Sequence, residues 1–308
     1  MLNTYVVEGG IGKHAAFTAL VPKLAERDGE AIQIYSPYID AFAFNPNVKM
    51  AYDQNSIMLG DQRIMASDNI HYCEPYKSNF AKGKEHLIEA YARLLGIDYD
   101  ETMVPKLYTT HLKDRADEWL GKRGINGPYI MIQFSGGQTP VGFNPNNGYQ
   151  STDPGRNYPW HLVNKVVAGI RAAFPDVAII DCTLPNEPGY PDTHKCDEHW
   201  AVVHEMLKGA QGFIGIDSCL NHFSASTKTR GVVIWGSTRW VQFGYDHNSN
   251  MSFHQGETWD ESKFDALDPR NILVDPDAIV EQYLKGVNTH VGRNDGRADQ
   301  PSVRCLRA

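Results

Sequence analysis

Two doubly wound α/β domains meeting near residue 127 are the fold class this sequence predicts. Three observations carry the expectation. Residues 4–7 form a short β-rich run that meets Gly9, Gly10 and Gly12 and passes into a helical pattern, the opening of a parallel α/β sheet. Beyond residue 128, strand and helix patterns alternate about four times. The length, 308 residues, suits two domains of roughly 150 residues each, or one large one.

The elements follow in order. After the glycine turn, Ala15, Ala19, Leu20 and Leu24 share one face and predict a single helix. Residues 31–35 read as a second buried strand. Residues 45–55 read as loop and 56–66 as a strand. Residues 79–95 make an amphipathic helix that Gly96 ends, and 111–123 make another. Gly124-Ile-Asn-Gly-Pro128 is the domain boundary. It gives an N-terminal domain over 1–127, a C-terminal domain over 128–287 and a polar tail over 288–308. In the second domain strands are expected at 129–134, 177–181, 212–216, 231–236 and 271–275. Helices are expected at 159–174, 199–208, 218–228 and 276–287, the first with proline at its start. Residues 138–155 read as a polar loop.

Composition excludes several classes. Apolar residues make up 42% of the chain, too many for disorder. The net charge of −8 argues against a general nucleic-acid or membrane-surface binder. Charge is even along the chain, with 14 basic and 17 acidic residues in 1–127 and 15 and 20 in 128–308, so neither end is a charged arm. No apolar run reaches the roughly 18 residues of a membrane span, and the N-terminus lacks the pattern of a signal peptide. Five scattered cysteines without a CxxC fit reduced thiols and a cytoplasmic protein.

Three strings carry chemistry. Gly9-Gly10-Ile11-Gly12-Lys13-His14-Ala15 can be read from Gly10 as G-x-G-x-x-A, in which small residues let backbone N–H groups approach an anion. The acid that a dinucleotide site needs at the end of the second strand is absent, since that strand runs Ile34-Tyr35-Ser36, and NAD is demoted. A tight turn is the plain alternative. Ser135-Gly136-Gly137 after a strand, with Arg156 opening a helix, forms a candidate diphosphate clamp, because a guanidinium gives two parallel hydrogen bonds to phosphate. Asp217, Ser218 and His222 stand where a strand passes into a helix. Ser218 can cap that helix and favour phosphate, while Asp217 suits sugar hydroxyls; a bare helix cap is the plain alternative. His194, Cys196 and His199 match no usual zinc spacing, and no metal is expected.

Together these strings resemble the heptosyltransferase-like glycosyltransferases of family 9. Phe213-Ile-Gly-Ile-Asp-Ser-Cys-Leu-Asn-His-Phe-Ser-Ala-Ser and Gly231-Val-Val-Ile-Trp-Gly-Ser-Thr238 are similar to the family's F-I-G-x-D-S-G-x-x-H-x-A-A and P-x-V-x-x-F-G-x-T runs. Arg156-Asn-Tyr-Pro159 is similar to K-x-W-P, Leu184-Pro-Asn-Glu187 to a nucleotide-contacting loop, and Gly9–Gly12 to the G-x-x-G-D turn. The resemblance implies a GT-B fold, two Rossmann-like domains facing across a cleft, with the donor on the C-terminal domain. It implies metal-independent inversion, with a nucleotide sugar as co-substrate and no cofactor. Ser135 and Gly136 would lie near the diphosphate and Arg156 on phosphate. Glu187 would face the nucleoside, and Asp217, Ser218 and His222 the sugar and phosphates. Gly10 and Gly12 would form the acceptor-side loop.

Two departures matter: Cys219 replaces a glycine, and Lys13 stands where the family has its proposed acidic base. Protonated Lys13 is a poor base. His14 is the first replacement, with Glu8 and Asp40 behind it; alternatively Lys13 binds an anionic acceptor such as a phosphate. The expected activity is glycosyl transfer from a nucleotide sugar to a saccharide acceptor. Other readings are transfer to a hydroxymethylated base of viral DNA, through a basic face of Lys77, Lys82, Lys84, Arg115, Lys122 and Arg123, a sugar-nucleotide epimerase, and a non-catalytic nucleotide-sugar binder.

Overall fold

The computed structural model describes residues 3–54, 69–77, 80, 85–136, 143–144, 148–149, 155–183, 187–253 and 269–288. Strand β1 (Asn3–Val7) enters a turn in which Gly9 adopts φ +95°, a left-handed backbone that glycine alone tolerates cheaply. The single helix expected next is two helices, α1 (Ile11–Phe17) and α2 (Val21–Asp28). The break falls where Thr18 turns its hydroxyl back to the Ala15 carbonyl, 2.6 Å away, and where Pro22 starts a new first turn. Strand β2 (Ile32–Ser36) follows as expected. Residues 45–55, expected as loop, contain β3 (Val48–Asp53). It lies at the sheet edge with no fully buried position, and the Asn45-Pro46-Asn47 run before it gives the segment the look of a loop although Val48, Met50 and Tyr52 alternate. The strand expected at 56–66 lies outside the described residues.

Strand β4 (Asn69–Cys73) completes a parallel sheet of order β3-β2-β1-β4. The helix expected over 79–95 is α3 (Leu87–Leu94); residues 85 and 86 precede it, with His86 and Glu89 forming a capping box. Helix α4 (Lys113–Lys122) packs on the second half of the chain: the Trp119 indole N–H donates to Asp197 at 2.8 Å, and Arg115 pairs with Glu198.

The second half begins with β5 (Tyr129–Gln133). Within the expected polar loop lies a short antiparallel pair, β6 (Phe143–Asn144) and β7 (Gly148–Tyr149). Then come α5 (Trp160–Ala173), β8 (Ala178–Asp181), β9 (His194–Lys195) and α6 (Trp200–Gly209). They are followed by β10 (Gly212–Ile216), α7 (Cys219–Thr227), β11 (Gly231–Ile234), α8 (Trp240–Phe243), β12 (Ser249–Met251) and α9 (Pro276–Asn288). The strand expected at 271–275 is replaced by a 3-10 turn at Pro269–Ile272. The polar tail beyond 288 lies outside the described residues.

The second sheet is parallel throughout, in the order β12-β11-β10-β5-β8-β9. Alternation along its strands divides the core. Ile130, Ile132, Ile214 and Ile216 pack beneath α5 and α9, whereas Tyr129, Met131 and Phe213 join the apolar cluster that continues into the first sheet. That continuity fixes one half of the chain against the other. Among the described residues, no helix is long and apolar enough to cross a membrane.

Burial holds four histidines neutral. Desolvation pushes His204 and His222 down to about 3, and His86 and His247 down to about 4. Unfolded, each titrates near 6.5, so the unfolded chain takes up these protons first as pH falls. Each ring then removes up to about 1.4 kcal/mol of stability per pH unit between its two pKa values. The melting temperature should therefore fall steeply from about pH 7 to about pH 5. Thermal scans across that range check it, and a flat profile contradicts neutral burial.

Candidate functional site

Each sheet has one place where its strand order reverses. In the first sheet the chain builds β1, β2 and β3 outward and then crosses to place β4 on the other side of β1. In the second it builds β5, β8 and β9, then crosses to β10, β11 and β12. Ligands of open parallel sheets bind at the carboxyl edge of such a switch point, because the two adjoining loops diverge there and leave a crevice. The sequence-predicted residues gather at these two places. Gly10, Gly12, Lys13 and His14 follow β1. Ser135 and Gly136 follow β5, and Asp217, Ser218 and His222 follow β10.

At the second switch point the loops after β5 and β10 touch. A Cβ on Gly136 would lie 2.5 Å from the Ser218 hydroxyl, so a larger residue there would push that hydroxyl aside. The Gly136 N–H donates to Asn157 at 3.1 Å, tying β5 to the segment that carries Arg156. The Arg156 Nε donates to the Asp217 backbone carbonyl at 2.7 Å, so the guanidinium bridges the segment before α5 and the loop after β10. Asp217 is nearly buried, and no described residue hydrogen-bonds its carboxylate. Ser218 occupies the N-cap position of α7, but its side chain makes no capping hydrogen bond, contrary to expectation. Gln133 does that work instead, its carbonyl accepting the Leu220 N–H at 3.2 Å. Glu187 is buried, and the Ser135 hydroxyl donates to its carboxylate.

Sequence reasoning missed Asp181, which holds the loop bearing Glu187. Its two oxygens accept the N–H groups of Thr183 at 2.9 Å and Tyr190 at 3.0 Å, and burial pushes its pKa up to about 6. An acid ending a buried strand was the available signal.

At the first switch point the structure departs from both roles weighed for Lys13 and His14. The Lys13 ammonium donates to both carboxylate oxygens of Glu74, at 3.0 and 2.9 Å, and lies 3.9 Å above the Tyr76 ring. It is thus not a free cation for an anionic acceptor. His14 is wholly buried, its ring nitrogens 2.9 Å from the Gly10 carbonyl and 3.0 Å from the Val7 carbonyl. Burial lowers its pKa, and its geometry fastens the glycine turn rather than facing a substrate. Glu8 accepts from Gln54, and Asp40 lies 3.7 Å from His199. Glu74 is not marked by the sequence because it stands just past β4, Asn-Ile-His-Tyr-Cys, an edge strand too short and polar to stand out.

The two switch points meet. The His222 ring rests on Gly12, where an added Cβ would lie 2.7 Å from Cδ2. Tyr245 holds His222 Nδ1 at 2.9 Å, and the ring stays neutral because it is buried, with the Arg156 charge nearby opposing a second one. Nearby, Gln242 donates to the Phe80 carbonyl at 2.7 Å, and Tyr76 stacks with Phe243 at 6.2 Å. The basic face weighed for nucleic acid is not a field of free cations: Arg115, Lys122 and Arg123 pair with Glu198, Glu118 and Asp197. Lys82 and Lys84 lie outside the described residues.

No protein-family model matches the sequence, and no curated protein does. Solved structures match over nearly the whole chain. The family 9 glycosyl transferase of Veillonella parvula superposes with a TM-score of 0.68 at 11% identity, covering 93% of this chain and 97% of that one. The chain has the fold of the family 9 glycosyltransferases. The Escherichia coli ADP-heptose LPS heptosyltransferase II gives 0.68's near equal, 0.67, at 11% identity, covering 95% and 100% of the two chains. The iron-containing heptosyltransferase TibC of E. coli, solved with ADP-D-β-D-heptose, gives 0.63 at 14% identity over 94% and 76%. Among the described residues of the present chain, no three His, Cys, Asp or Glu side chains are grouped to hold a metal ion.

The Gly12–His222 contact is directly testable. Gly12→Ala should cost about 1–3 kcal/mol, because a tethered ring must move to admit the methyl group. Denaturant titration measures this, and adding His222→Ala should recover part of the loss. No loss in the single variant contradicts the contact.

Proposed function

We propose that this chain is a nucleotide-sugar-dependent glycosyltransferase that moves a sugar to an acceptor hydroxyl with inversion and without a metal. The observation that carries the reading is the Arg156–Asp217 hydrogen bond at the second switch point. It fixes a guanidinium beside the N-terminus of α7, a combination suited to a diphosphate. A nucleoside diphosphate gains negative charge as it leaves, and a prearranged guanidinium with oriented N–H dipoles stabilises that charge.

In this reading Ser135 and Gly136 line the diphosphate and Glu187 supports the nucleoside side. Asp217, whose carboxylate has no described hydrogen-bond partner, accepts from sugar hydroxyls beside Ser218. Neutral His222 positions the donor loop against Gly12. The two halves form the lobes of a GT-B cleft, with the acceptor on the Gly10–Gly12 side. The neighbours solved with ADP-heptose and ADP make an ADP-sugar the first donor to try. A saccharide acceptor is favoured over DNA, because three of the six basic side chains weighed for DNA, Arg115, Lys122 and Arg123, are paired with acids.

Calorimetric titration with ADP tests the donor site. Wild type should bind, and Arg156→Ala should lose about 10- to 100-fold in affinity, or about 1.4–2.7 kcal/mol, with the melting temperature of the free protein unchanged. Equal ADP affinity in the variant overturns the assignment. Mass spectrometry after incubation with ADP-heptose should find ADP and free or transferred sugar; an isomerised donor points to an epimerase and an unchanged donor to a binder.

A further inference from the structure

We propose that Glu74 is the general base of the transfer, taking the proton of the acceptor hydroxyl, with Lys13 and Tyr76 as its positioning residues. The inference rests on the glycosyltransferase reading above and adds a residue to it. Glu74 directly follows β4, at the carboxyl edge of the first sheet's switch point, so the topology presents a carboxylate to the same region as the donor clamp. Its side chain is about 15% exposed, which leaves it reachable but desolvated on most sides.

Three hydrogen bonds fix its orientation: Lys13 reaches both oxygens, and the Tyr76 backbone N–H donates to Oε1 at 3.0 Å. Lys13 is itself held. Its side chain lies along Gly9, where a Cβ would approach Cδ to 2.8 Å, and its ammonium sits over the Tyr76 ring. Tyr76 completes the link to the second half, because its ring stacks with Phe243 at 6.2 Å, and Lys13 adjoins Gly12, on which His222 rests.

The other acidic groups are less suited. Glu187 is buried and accepts from Ser135, Asp217 lies on the donor loop itself, and Asp40 faces His199. His14 has both ring nitrogens against backbone carbonyls. Glu8, which follows β1 at the same edge, accepts from Gln54, whereas Glu74 is held by Lys13 beside the Gly12–His222 contact.

The step balances simply. The acceptor oxygen forms a bond to the anomeric carbon on the face opposite the diphosphate. The bond from that carbon to the diphosphate oxygen breaks, and its electron pair stays with the nucleotide. The acceptor proton passes to Glu74, which later releases it to water.

The test uses the full chain, ADP as the binding probe and ADP-heptose as donor, with water as acceptor in single-turnover cleavage. Glu74→Gln should keep ADP affinity within about twofold of wild type, while cleavage falls by about 100-fold or more. The acid limb of the pH–rate profile should vanish, and added formate should restore part of the rate. Glu74→Asp, which retains the carboxylate, should keep an acid limb with a reduced rate. Lys13→Met should slow cleavage less than Glu74→Gln and preserve that limb. Wild-type cleavage in Glu74→Gln, with ADP bound normally, overturns the base and leaves the donor site standing. Absence of ADP binding and of cleavage in the wild type overturns both.

Discussion

His222 can lie on the first glycine turn because residue 12 has no side chain. That contact joins the switch points of two sheets that are otherwise separate in sequence and in strand order. Much else is arranged around it. Tyr245 holds the ring from behind, and burial keeps it uncharged. The turn beneath it is fastened by His14 between two backbone carbonyls. Two buried imidazoles therefore serve as struts, one in each half; a neutral His14 ring donates to one of its two carbonyls and only packs against the other.

The charges that remain are placed with economy. At the second sheet, one guanidinium rests on a backbone carbonyl, which anchors it without neutralising it. At the first sheet, a cation and a carboxylate neutralise each other. In the proposed reading the guanidinium offers positive charge to an anion, and the carboxylate is held in place by its own cation. That polarity suits a reaction in which charge leaves on one side and a proton is lost on the other.

Much of the second half was legible in the sequence because its strands are buried on both faces and its helices carry clear apolar stripes. The run through Asp217, Ser218 and His222 lies where a strand-to-helix reading places it. The first half was less readable for physical reasons. Strands β3 and β4 lie at sheet edges and bury little: β3 has no fully buried position and β4 only Cys73. Short, polar runs of this kind alternate like a strand, yet look like loop beside the apolar runs of the inner strands. Glu74, just past β4, had no strong element to mark it. Lys13 was visible, but its meaning depended on a partner 61 residues away, and local pattern does not encode such pairings. His14 looked chemically available because sequence does not show that both its nitrogens face carbonyls.

If the two switch points make one site, a crystal structure of the protein with ADP-heptose will show it. The diphosphate should lie within about 3 Å of the Arg156 guanidinium, and the anomeric carbon should turn toward Glu74 across the Gly12–His222 contact. A nucleotide bound away from Arg156, or a sugar directed away from the first sheet, would contradict it.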